Sequence, residues 1–171
     1  MSAASGPALT VDTLVAERDA KRQRDHEAAE QLHQRKEEEL EAFRKRLDTF
    51  QMTEDVIKSG HERLRRAFEA GNSELMISAF PSSFCTDGGR AIINAGAPPI
   101  NRPTNEELAA REAEPEWLAT MPAGVQNVFD YWKANLKPGG FGFSARIINY
   151  PDGKPGDVGL FVSWPKSVMD G

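Results

Sequence analysis

The chain has 171 residues, of which 27% are charged and 8% aromatic, and a formal net charge of −5. That balance argues against a general binder of nucleic acid or of an anionic membrane, which needs excess positive charge to neutralise phosphate. A lone cysteine, Cys85, excludes an intrachain disulfide and zinc sites built on cysteine pairs. No apolar run reaches the ~18 residues that a membrane-spanning helix requires. The opening Met1-Ser2-Ala3-Ala4-Ser5-Gly6-Pro7 lacks the basic start and apolar stretch of a signal peptide, so a cytoplasmic protein is expected.

Residues 1–11 are small and breaker-rich, and a disordered tail is expected there. Asp12 or Thr13 is placed to cap a helix, because a short side-chain oxygen accepts from a free amide of the first turn. From there to Ala70 the sequence has no proline and a single glycine, Gly60, among good helix formers. Glu17/Lys21 and Glu41/Lys45 add charge pairs at i,i+4, and Gly71 suits a left-handed helix end. From Leu40 onward large apolar residues recur at three- and four-residue steps: Leu40, Phe43, Leu47, Phe50, Ile57, Leu64 and Phe68. Glu54 and His61 fill the remaining seam positions, which makes a partial coiled coil. Upstream the same frame falls on His26, Ala29, His33 and Lys36, so the helix before Leu40 reads as a solvated charged segment. Two expectations follow from the seam: a homodimer paired through Leu40 to Phe50, and docking of the Ile57 to Phe68 turns onto the domain that comes next. The division expected is a charged helical stalk at 12–52 and a small domain at 53–171, its first helix at 53–70.

Past Gly71 the composition changes to aromatics, prolines, glycines and short alternating runs. Leu75 to Phe80 reads as a strand closed by Pro81, and Arg90 to Ala95 as a short helix entered through Asp87-Gly88-Gly89. Ala97 to Arg102 is a loop, since Pro98, Pro99 and Pro103 permit little else. Thr104 and Glu107 form a capping box for a helix over Thr104 to Glu114. After Pro122, Val125, Val128, Phe129, Trp132 and Leu136 fall on one helical face, and Pro138-Gly139-Gly140 stops it. Phe141 to Tyr150 and Asp157 to Trp164 alternate as strands around a Pro151–Gly156 turn. One face carries Phe141, Phe143, Ala145 and Ile147, matched by Val158, Leu160, Val162 and Trp164. The fold class expected is α+β, with a three-stranded, largely antiparallel sheet packed against helices.

One segment carries candidate chemistry, Cys85-Thr86-Asp87-Gly88-Gly89-Arg90. A strand, a loop ending in two glycines and then a helix offers backbone amides to an anion, with Gly88, Gly89 and Arg90 as the anion-binding residues. A cysteine held there would have its thiolate stabilised and its pKa lowered, and Arg90 would clamp an oxyanion through two parallel hydrogen bonds. Four residues separate Cys85 from Arg90, one fewer than in the cysteine phosphatases. Over these six residues the spacing Cys-x-x-Gly-x-Arg resembles the sulfurtransferase loop of rhodanese-like domains. That resemblance implies a thiol-dependent enzyme with Cys85 as nucleophile and Arg90 as its partner. It is the alternative to the main expectation, because the upstream chain is a charged helix and not the βα units of that family.

His26, His33 and His61 all lie on the long helical segment, where solvated helix positions account for them. No complete nucleotide-binding loop, Ser-His-Asp arrangement or metal-ligand cluster is present, so no cofactor and no metal is expected. The main expectation is a non-catalytic interaction or adaptor protein. It would self-associate through the stalk and bind an unidentified protein partner with the compact domain.

Overall fold

The computed structural model describes residues 8–95 and 114–170. The loop expected at Ala97 to Arg102 and nearly all of the helix expected at Thr104 to Glu114 lie outside the described residues. The chain divides into two units, Met1–Phe43 and Arg44–Gly171.

Helix α1, Val11–Asp48, is 38 residues long and buries none of them. Its cap is Thr10, one turn earlier than the expected Asp12 or Thr13: Thr10 Oγ1 accepts from the Thr13 amide at 3.0 Å. Before Phe43 every residue of α1 is exposed, and local pairs form along it. His26 sits 3.1 Å from Glu30 and His33 2.9 Å from Glu37, each at i,i+4. Among the described residues no helix is long and apolar enough to cross a membrane.

The helical segment read from 12 to 70, divided in the expectation at 52/53, is interrupted: α1 stops at Asp48. Helix α2 starts again at Glu54 and ends at Glu69, with Thr53 accepting from the Val56 amide as its cap. No proline or glycine marks the break. At the break the Thr49 hydroxyl bonds back to the Lys45 carbonyl at 2.8 Å, and the acid-rich Glu54-Asp55 suits the new helix N-terminus. The corner turns Leu47 and Phe50 inward. A Cβ on Gly124 would overlap the Leu47 carbonyl and press on Phe50, so only glycine permits this approach. The second half of the apolar seam is therefore used within the chain. Helix α2 ends as its sequence foretold: Gly71 has φ 88°, its amide bonds Phe68 O, and the Asn72 amide bonds Ala67 O. Those two bonds make a Schellman motif.

Strands β1 (Glu74–Pro81), β2 (Gly142–Ile147) and β3 (Asp157–Ser163) form an antiparallel sheet in the order β1-β3-β2. Central β3 carries the most buried side chains, with Val158 and Leu160 almost fully covered. A bulge between Met76 and Ser78 shifts the β1 register, which brings both Ile77 and Ser78 to the inner face. Helix α3 (Arg90–Ala95) and helix α4 (Ala123–Tyr131) follow the short loops after β1 and Met121. Phe143 is the hub between sheet and helices, with ring centroids 5.7 Å from Trp132, 5.9 Å from Phe129 and 6.0 Å from Trp117. The expected helix through Leu136 is modified: past Tyr131 it widens into a π turn over Trp132–Leu136, where the Lys137 amide reaches back to Trp132 O. On the opposite sheet face Arg146 lies 3.6 Å over the Phe161 ring and pairs with Glu74. The hydrogen bond from Arg146 holds the Glu74 carboxyl below its ordinary value.

Candidate functional site

The segment singled out by the sequence is a tight corner. Gly88 and Gly89 adopt φ 68° and 92°, and a Cβ on Gly89 would lie 3.2 Å from Ile147 Cδ1. The loop thus presses on the sheet through a missing side chain. Its amides are already engaged. Asp87 Oδ1 accepts from the Gly89 amide at 2.9 Å, Asp87 Oδ2 accepts from the Ala91 amide at 2.8 Å, and the Gly88 amide bonds Cys85 O. Desolvation opposes ionisation of Asp87, but the backbone hydrogen bonds outweigh it and hold the carboxyl below its ordinary value. The expected cradle holds an anion supplied by the chain itself.

Cys85 is 4% exposed. Burial first, and then the charge of Asp87, push its thiol up to about 11, against a smaller opposing hydrogen bond with Thr120. This direction is opposite to the thiolate stabilisation expected of a nucleophile at this loop. Arg90 is exposed at the start of a helix of six residues.

A different place in the compact unit has the dimensions of a binding site. Between α2, α4 and the inner face of the sheet lies a cavity of about 460 Å³. Its walls are Ile57 and Leu64 of α2, Val128 and Trp132 of the α4 region, and Leu160 and Val162 of the sheet. Close packing leaves few voids larger than a water molecule, so a space of this size is an architectural feature. Ligand cavities commonly span ~300–1,000 Å³ with apolar, aromatic walls and few polar groups. The cause lies in α2. Of its 16 residues only Ala67 is buried, while Val56, Ile57 and Leu64 stay half-buried, facing open space. Gly60 lines the same space, and a Cβ there would meet nothing within 4 Å.

The main polar feature is a strut. His61 Nε2 and Tyr131 Oη are 2.9 Å apart and half-buried, bridging α2 to the end of α4. His61 also borders a second cavity of about 300 Å³, whose walls include Leu64, Phe68, Leu136 and Trp164. The strut therefore stands where the two spaces adjoin.

Spacing alone placed His61 in a helix seam; it did not pair it with Tyr131. The available signal was the stripe Ile57, His61, Leu64 and Phe68, which puts an imidazole on the apolar face of α2. Among the described residues, no group of three His, Cys, Asp or Glu side chains is arranged to hold a metal ion. Compared with protein-family models, curated proteins and solved structures, the chain has no significant match. The fold defines the protein as an α+β domain bearing a long charged helix.

Proposed function

We propose that this is a non-catalytic binding protein whose compact unit receives an apolar ligand beneath α2. The observation that supports the reading is the cavity of about 460 Å³ between α2, α4 and the sheet, lined mainly by apolar side chains and bridged by one hydrogen-bonded pair. Burying apolar ligand surface there gains ~25 cal/mol per Å². The cavity already exists, so little reorganisation opposes binding. The test is a fluorescence titration with decanol as probe, read through Trp132 in the cavity wall. Saturable binding that Gly60→Leu abolishes while the circular dichroism is retained agrees with the reading. Binding unchanged by Gly60→Leu removes it.

Self-association through α1 is the second element of this reading. A helix of 38 residues that buries none of them, with only Phe43 and Leu47 half-buried, has little tertiary packing to hold it, and packing supplies most helical stability in proteins. Leu32 and Leu40 are 54% and 45% exposed on it. Sedimentation velocity of the full chain at micromolar concentration should show a dimer, and a monomer there removes this element.

A further inference from the structure

We propose that the ligand of this cavity is a linear amphiphile with a carboxylate head, its chain beneath α2 and its head at the His61–Tyr131 strut; this rests on the binding role assigned to the cavity. The strut has more hydrogen-bonding capacity than its own bond uses. If Tyr131 donates to Nε2 of His61, the imidazole carries its proton on Nδ1. If Nε2 donates to Tyr131, the phenol O–H is free to donate elsewhere. In either tautomer the pair keeps one N–H or O–H donor beyond its own 2.9 Å bond, so it complements an acceptor oxygen.

Charge points the same way. Arg63 lines the larger cavity and Arg65 the smaller one, two and four residues along α2 from His61. Arg63 donates to Met76 O at 3.1 Å, which ties it to the rim of the sheet. The acidic residues on the same walls, Asp55 and Glu69, stand six positions before and eight after His61, near the two ends of α2. Arg65, at i+4, shares the helix face of His61, and the two wall carboxylates stand near the ends of α2, a pattern that favours an anionic head near the strut. The walls offer a chain mainly apolar side chains, Ile57, Leu64, Trp132 and Phe143 among them.

The test is isothermal titration of the full chain with decanoate and with decanol, below their aggregation limits, at neutral pH and fixed salt. Decanoate should bind at least fivefold more tightly than decanol. Tyr131→Phe should weaken decanoate about tenfold, the scale of one hydrogen bond to a charged group, and leave decanol within twofold. Arg65→Gln, an exposed change that spares the fold, should weaken decanoate alone and keeps the test available if Tyr131→Phe does not fold. Equal affinity for the two probes, or decanoate binding indifferent to both variants, overturns the carboxylate assignment and leaves the cavity reading standing. Failure of both probes to bind overturns the cavity reading itself.

Discussion

Helices α1 and α2 are both rich in charge, yet they belong to different kinds of structure. The 38 residues of α1 bury nothing. The 16 residues of α2 present Ile57, His61, Leu64 and Phe68 as a stripe toward the compact unit. Charge content does not separate them; apolar spacing does. Even so, the stripe of α2 is seated only in part, since Phe68 is 46% exposed and Ala67 alone is buried. The incomplete seating creates the cavity and makes α2 the wall most able to respond to a ligand.

The comparison can be broken most forcefully by truncating one side chain in each unit. Phe129→Ala removes a ring that is 3% exposed and packed on Phe143 and Trp132, and should cost ~3–5 kcal/mol in denaturant unfolding. Leu14→Ala on α1, at a position 49% exposed, should cost below ~0.5 kcal/mol of the same transition. Equal costs would mean that α1 is packed against something in solution. Next in size is the cap that separates the helices: Thr53→Ala leaves the Val56 amide unpaired and should lower stability by ~1 kcal/mol. Gly60→Ala has the opposite sign. Its Cβ enters open space and relieves the glycine penalty, so thermal unfolding should show a gain of ~0.5–1 kcal/mol. A loss would mean that α2 sits closer to the sheet than described.

Cys85 gives a pH test. Its folded pKa is raised to about 11, so the native state favours the thiol. The stabilisation is complete below the unfolded value and is lost as pH rises through the folded one. Stability should decline above pH ~9, and Cys85→Ala should flatten that decline. Iodoacetamide at neutral pH should leave native Cys85 unlabelled and label it once the chain is unfolded. Rapid native labelling would instead revive the thiol-enzyme alternative. The smallest effect belongs to Glu74, whose carboxyl is lowered by Arg146. Its contribution is present above the ordinary carboxylate range and fades as pH falls through the lowered value. It is small because both side chains are well exposed.

Much of this was legible in the residues. Alternation in Phe143-Ala145-Ile147 and Val158-Leu160-Val162 marks the inner face of the sheet, and Gly71 marks the end of α2. The break after Asp48 was not legible, because nothing between Thr49 and Thr53 is a strong helix breaker. It exists because Leu47 and Phe50 find partners beside Gly124, 77 and 74 residues away in sequence. The loop at Cys85 was legible as a corner, but the sequence could not say that Asp87 would claim its amides. The cavity was hidden for a similar reason. Periodicity reports which residues face inward, not how far apart the facing layers settle.

The most direct test of the binding role is amide hydrogen exchange of the full chain with and without decanol. Protection should rise in α2 from Val56 to Phe68 and stay unchanged along α1 from Val11 to Lys36. Unchanged exchange in α2 at saturating decanol, or an equal rise in both helices, would contradict a ligand seated beneath α2.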